Sequence, residues 1–206
     1  MLGGQRLPAS GDVIVDGERY AATRADSRAH RVRCLPEEPL RNASVARMSV
    51  ADNLAFRTFD QKGRGNGAGG DGSAIWLDLP GIGRRARELI ARYGIKTASK
   101  DAPIATLSGG NVQRTVLARE LAGAVNLLIA ANPCFGLDFA AVAEIRSQIM
   151  RARNGGAAVL LISEDLDELF ELSDRILVMS EGAIVYETPI ESADLRTIGG
   201  YMAGSH

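Results

Sequence analysis

Histidine, lysine and cysteine are all scarce in this chain. Two histidines, His30 and His206, and two cysteines, Cys34 and Cys134, stand apart at no metal-ligand spacing. A structural zinc site is therefore not expected, and imidazole base chemistry is nearly excluded. Two isolated cysteines also fit reduced structural thiols better than a disulfide framework. Lysine occurs only at Lys62, Lys96 and Lys100, and none of them follows a glycine. Long apolar runs are missing: residues 122–131, the longest mostly apolar stretch, are broken by Gly123 and Asn126 and fall far short of the ~20 residues that a membrane helix needs. No apolar secretion-signal core follows Met1, so the chain is expected to remain in the cytoplasm. Neither sign of charge dominates: 24 basic and 25 acidic residues leave a formal charge of -1. Such a chain has no global field for a polyanion, and nucleic acid is not an expected partner. What remains, 206 residues of which 46% are hydrophobic, is ordinary for one globular domain with room for a subdomain.

Along the chain, Val13 to Val15 followed by Asp16-Gly17 predicts a strand and turn, and Arg31 to Leu35 a second strand ended by Pro36. Both belong to an extended N-terminal piece. Ser49 is the expected N-cap of a helix to about Arg57, and the glycine-rich stretch from Asp60 to Ser73 is expected to be a linker. Its Gly65-Asn66-Gly67-Ala68-Gly69-Gly70 fits Gly-x-Gly-x-x-Gly, but no strand precedes it and no helix opens on it, as a dinucleotide site requires. Trp76 and Leu77 suggest a packing anchor. Helices are expected from Arg84 to Tyr93 and from Asn111 to Leu121. After Leu127 the pattern changes to apolar runs alternating with amphipathic helices: Leu127 to Ala131, Phe139 to Arg153, Ala157 to Ile162, Asp165 to Leu172 and Ile176 to Met179. That is βαβαβ, hence a parallel sheet, and Glu181-Gly182 then closes a terminal hairpin.

The segment that carries chemistry is Leu107-Ser108-Gly109-Gly110-Asn111-Val112-Gln113, a serine and two glycines directly before a helix. Glycines let the backbone approach a phosphate, the free N–H groups of the first turn point at it, the helix dipole favours its charge, and Ser108 adds a hydroxyl. A serine N-cap with a glycine turn gives the same letters, so context must decide. Other candidates are weaker. Glu164, Asp165, Asp167, Glu168 and Glu171 suit a solvated helix start, and Arg84, Arg85 and Arg87 a solvated helix face.

The residues downstream of Gln113 supply that context. Leu127 to Ala131 leads through Asn132-Pro133 to Gly136-Leu137-Asp138, and then come Leu160-Leu161-Ile162-Ser163-Glu164-Asp165 and Ser173-Asp174-Arg175-Ile176. This ordered set resembles the ATPase subunits of ABC transporters, most of all the second, degenerate ATPase half of sugar-type and nucleoside-type importers. The resemblance implies an α/β, P-loop-NTPase-like parallel sheet with a helical subdomain, its N-terminal strands and P-loop truncated. It implies four segments: 1–48, a β segment after the missing P-loop; 49–122, the helical subdomain; 123–188, the Walker B, D-loop and switch core; and 189–206, a tail. Ser108, Gly109, Gly110, Asn111 and Gln113 match the signature that contacts ATP held by an opposing domain. Asp138 matches the D-loop, Glu37 the Q-loop position beside the permease, and Glu164 the switch position.

Departures from the family pattern point one way. The sequence has no Gly-x-x-x-x-Gly-Lys-Ser/Thr phosphate loop, and the chain is expected to begin inside the helix that follows it. Ala131 and Asn132 stand where the family has the magnesium-orienting aspartate and the glutamate that polarises water. Glu164 replaces the switch histidine, and a carboxylate there repels a γ-phosphate; Glu37 replaces the usual glutamine. Two or three charge-assisted bonds of roughly 1.5 to 3 kcal/mol each do not outweigh an association cost of about 4 to 15 kcal/mol. The expectation is a domain with no catalytic residue or metal ligand of its own, binding Mg-ATP only in trans. Its expected partners are a second, P-loop-bearing ABC domain and membrane permease subunits, on the inner face of a bacterial plasma membrane. The alternative is a non-catalytic remnant or interaction module that keeps the fold but joins no transport cycle.

Overall fold

The computed structural model describes residues 9–59 and 77–204. The glycine-rich stretch 60–73 and Trp76 lie outside them. Two compact units divide the chain, residues 1–160 and 161–206.

In the first unit, Ile14–Val15 (β1) and Glu18–Arg19 (β2) form a small antiparallel hairpin. Asp16 (φ 53°) and Gly17 (φ 79°) both adopt the left-handed region that a two-residue hairpin turn demands. The N-terminal piece is not wholly extended, which corrects the sequence reading: Arg24–Ala29 (α1) is helical. A capping box makes it so, with Thr23 Oγ1 accepting the Asp26 N–H at 3.1 Å and the Asp26 carboxylate accepting the Thr23 N–H at 3.3 Å. Val32–Leu35 (β3) pairs in parallel with Leu127–Ala131 (β4), Val32 opposite Leu127 and Leu35 opposite Ala130. The sheet continues in the order β3-β4-β5, where β5 is Ala158–Ile162 and starts with the Ala158 N–H on the Asn126 carbonyl at 2.8 Å.

The helices of this unit are Pro39–Asn42 (α2), Val50–Ala55 (α3), Leu79–Arg92 (α4), Gly109–Glu120 (α5) and Phe139–Asn154 (α6). Ser49 caps α3 as expected, its Oγ accepting the Asp52 N–H at 3.0 Å. Helix α4 begins five residues before the expected start, because Asp78 accepts the Gly81 N–H at 2.8 Å and caps it earlier. Val50, Ala51 and Leu54 of α3 pack with Ala86, Leu89 and Tyr93, with Ile95, and with Ala118 of α5 in one apolar cluster. Arg84, Arg85 and Arg87 face solvent, as their spacing predicts. Leu77 does not anchor this core; it is 47% exposed.

The second unit holds Leu166–Leu172 (α7), Arg175–Ser180 (β6), Ala183–Pro189 (β7) and Leu195–Met202 (α8). Strands β6 and β7 pair antiparallel across Glu181 (φ 50°) and Gly182 (φ 83°). Among the described strands β6 therefore pairs with β7 and does not extend the three-stranded parallel sheet, a correction to the last step of βαβαβ. A two-residue turn offers β6 a partner at almost no loop-closure cost. The expected tail contains α8, capped by Asp194, whose Ile198 packs with Ile176 and Val178 while Tyr201 stacks on Tyr186 at 4.5 Å. The acidic start of α7 is also not wholly solvated. Leu166, Leu169 and Phe170 join the apolar cluster and Glu168 is 1% exposed, so most of the helix circumference is covered.

Candidate functional site

The start of α5 is held from upstream. Residues 46–51 run beside residues 100–105: Val50 N–H donates to the Ala102 carbonyl (2.9 Å), Ile104 N–H to that of Met48 (3.0 Å) and Ala105 N–H to that of Ala46 (3.1 Å). Asn53, 1% exposed, pins this track from inside α3. Its Nδ2 donates to the carbonyls of Val45 (3.2 Å), Met48 (3.3 Å) and Ser49 (2.9 Å), and its Oδ1 accepts the Val45 N–H (2.9 Å). Ile104, fully buried, then sits in a short 3-10 turn to Thr106, and the chain enters α5 through extended Leu107 and Ser108. Sequence reasoning missed Asn53; its one signal is an asparagine in a short helix whose residues, Asp52 apart, are otherwise apolar.

At the N-terminus of α5, Ser108 is the N-cap residue but its side chain accepts no backbone N–H. The N–H groups of Gly109 and Gly110 have no acceptor among the described residues, so the end offers two free donors along the helix dipole. A Cβ on Gly109 would meet nothing within 4 Å, whereas one on Gly110 would lie 3.2 Å from the Ala141 Cβ. Gly109 thus leaves room for a ligand, and Gly110 lets α5 approach α6. Asn111 and Gln113 are buried and spend their amides inside the protein. Asn111 Oδ1 accepts the Lys96 N–H at 2.8 Å and its Nδ2 donates to Ser108 Oγ at 2.9 Å; Gln113 Nε2 donates to the Pro133 carbonyl at 2.7 Å.

Beside this helix start lies a cleft of about 550 Å³, lined by residues 37–41, by Leu107, Gly109, Val112 and Gln113 of the signature, and by Asn132 and residues 135–137. Asn132, at the end of β4 with φ 42°, donates from Nδ2 to Glu37 Oε1 at 3.3 Å. Glu38 pairs with Arg41 at 3.6 Å. Two carboxylates and one guanidinium thus line the cleft together with Gly109. Asp138 caps α6, its carboxylate accepting the Ala141 N–H at 2.9 Å, between Phe135 and Phe139, which are 78% and 96% exposed. Sequence reasoning also missed these two bare aromatics. Glu164 belongs to the second unit, where it is exposed and directly precedes Asp165, the cap of α7. The first unit therefore brings Glu37, Asn132, Gly109 and Gln113 to one cleft, whose lining does not include Ser108, Gly110 or Asn111. No group of three metal-ligating side chains occurs among the described residues.

The same stretch carries a second polar device. Glu120, fully buried at the end of α5, accepts from Arg57 Nε (3.0 and 3.2 Å), Arg57 Nη2 (2.8 Å) and Arg119 Nε (2.8 Å). Arg119 also donates to the Ala43 carbonyl at 2.7 Å and stacks over Phe56. Nearby on β3, burial pushes the Cys34 thiol up, reinforced by the Glu120 charge.

Comparison with known proteins shows the family and the fold. A family model described as ABC transporter matches residues 1–134. The glucose import ATP-binding protein TsgD13 of Haloferax volcanii is 37% identical over 99% of this chain and 36% of its own length. The arabinose import ATP-binding protein AraG of Azospirillum brasilense is 39% identical over 91% of the chain and 35% of its own length. The nucleoside import ATP-binding protein NupA of Lactococcus lactis is 34% identical over 84% of the chain and 33% of its own length. The chain spans about a third of the length of these curated relatives. Among solved structures, the ATP-binding cassette MJ0796, a dimer bound to ADP and Pi, superposes with a TM-score of 0.71 at 19% identity, covering 91% of this chain and 77% of that one. The likeness to that cassette is one of fold, an α/β parallel sheet with helices, while the family match runs through the sequence from its first residue past Asn132; on these grounds the chain belongs to the ABC transporter family.

Proposed function

We propose that this chain is an ATP-binding domain of a sugar or nucleoside importer that completes another domain's ATP site instead of working one of its own. Ser108 and the Gly109 and Gly110 N–H groups meet the terminal phosphate of Mg-ATP held by a second, P-loop-bearing ABC domain. The carrying observation is the contrast between the groups at the start of α5 and those at the end of β4. At the start of α5 are two N–H groups without acceptors among the described residues and an exposed serine; at the end of β4 are Ala131 in place of a carboxylate and Asn132 bonded to Glu37.

Asp138, between two exposed phenylalanines, transmits the state of that site across the domain interface. The segment around Glu37 faces permease subunits, and Glu164 at the switch position does not support hydrolysis. The relatives are named as import ATP-binding proteins, which supports a place at the cytoplasmic face of the membrane, held there by the permease. No helix among the described residues is long and apolar enough to cross a membrane.

The test is calorimetric titration with Mg-ATP of the chain alone and of its mixture with the cognate P-loop-bearing ABC domain. Binding in the mixture beyond that of the partner by itself, abolished by Ser108→Arg on this chain, is expected. Micromolar binding by the chain alone, or indifference to Ser108→Arg, overturns the reading.

A further inference from the structure

We infer that Asn111 is a positioning residue that sets the direction of the Ser108 hydroxyl proton, an inference that rests on the proposed contact between Ser108 and a terminal phosphate. The Lys96 backbone N–H can only donate, so the Asn111 atom 2.8 Å from it is the oxygen. The opposite end of the amide is then NH₂, and it donates to Ser108 Oγ at 2.9 Å. A hydroxyl has one proton, and the amide nitrogen that it faces on the protein side cannot accept it. The proton is left for an acceptor outside the protein, beside the free Gly109 and Gly110 N–H groups. Asn111 is buried, and its two bonds fix both ends of the amide, so the direction is set before any ligand arrives.

The molecule contains its own control. Ser49 begins α3 with the same spacing, but the residue three positions on is an acid: Ser49 Oγ donates inward to Asp52 Oδ2 at 2.6 Å and accepts the Asp52 N–H at 3.0 Å. With an acid at the third position the serine closes on its own helix; with an amide, as at Ser108, it accepts from the helix and donates outward. Asn111→Asp keeps the size and the acceptor for the Lys96 N–H, yet turns the Ser108 hydroxyl inward in the manner of Ser49.

The experiment measures ATP hydrolysis by the cognate P-loop-bearing ABC domain in complex with this chain, as wild type, Ser108→Ala, Asn111→Asp and the double variant. Ser108→Ala is expected to slow it, and Asn111→Asp to slow it by roughly ten- to a hundredfold, the weight of one charge-assisted bond, with no further loss when Ser108 is already alanine. Asn111→Ala, measured in both backgrounds, is expected to show a smaller loss of the same kind and serves if the acidic variant does not fold. A null result for Ser108→Ala overturns the reading that Ser108 touches phosphate. A loss with Ser108→Ala but none with either Asn111 variant overturns the positioning role alone. So does an equal loss from the Asn111 variants in both backgrounds, which marks a merely structural amide.

Discussion

Replacing Glu120 with glutamine removes one charge from a fully buried carboxylate and leaves the volume almost unchanged. In the native protein that carboxylate accepts from Arg57 Nε and Nη2 and from Arg119 Nε at 2.8 to 3.2 Å. The variant presents an NH₂ group to one of two guanidiniums, so it loses charge-assisted bonds and gains a donor facing a donor. Arg57 is 35% exposed and water screens its share; Arg119 is 7% exposed and carries most of the penalty. Breaking a buried pair from one side costs about 3 to 5 kcal/mol, and the exposed partner places the expectation near the bottom of that range, about 3 kcal/mol. Urea unfolding of the purified chain followed by circular dichroism reads it as a lowered midpoint at unchanged slope. Arg57→Ala should cost less, because Arg119 still neutralises the carboxylate. A Glu120→Gln loss below about 1 kcal/mol, or an Arg57→Ala loss exceeding it, refutes the claim that Glu120 is the buried hub of the pair.

The geometry sets three further outcomes. Gly110→Val puts a branched side chain where a Cβ already sits 3.2 Å from that of Ala141; it should destabilise the chain by about 1 to 3 kcal/mol, and Ala141→Gly should restore part of this in the same unfolding assay. Asn53→Ala strips four hydrogen bonds from the track that leads to α5 and should cost about 2 to 4 kcal/mol, with amide exchange rising first at Val45 and Ile104. The Asp194 carboxyl is held below its ordinary value of 3.8 by the N–H and hydroxyl of Thr197. A depressed native value means that this cap stabilises α8 above the ordinary value and is lost as pH falls through the depressed one; an NMR titration midpoint at or above 3.8 contradicts it.

Strand β4 and helix α6 were legible because each is announced by one strong local signal: five apolar residues in a row for β4, and Asp138 ahead of amphipathic spacing for α6. The hairpin turns at Asp16-Gly17 and Glu181-Gly182 were legible because few residue pairs tolerate two successive left-handed conformations. Helices α1 and α2 were not. They have six and four residues and no buried position, so neither leaves an apolar stripe to be read. The partnering of β6 was illegible for another reason, since an apolar run specifies burial but not which strand lies beside it. In the candidate site, the residue types of Leu107 to Gln113 predict a turn with free N–H groups at a helix start, which the structure has, but which atoms face outward depends on partners far away in sequence. Lys96 lies 15 residues before Asn111, and Pro133 lies 20 residues after Gln113.

That distance dependence separates the residues of one motif by what they can do. Asn111 and Gln113 bear the more obvious hydrogen-bonding groups, yet the Asn111 amide is bonded at both ends within the protein, and Gln113 gives its NH₂ group to the Pro133 carbonyl. Gly109, with no side chain at all, keeps a free N–H and open space above it. A phosphate arriving at α5 would therefore be met by backbone and by one hydroxyl, groups whose positions are fixed by helix geometry and cost little entropy to order. The Glu37 and Glu38 carboxylates that line the cleft repel a phosphate within it, so an anion is favoured at the free N–H groups of α5. On the proposed function such a domain gains affinity for nucleotide from its partner's presence, which is why the titration compares the mixture with the isolated chain.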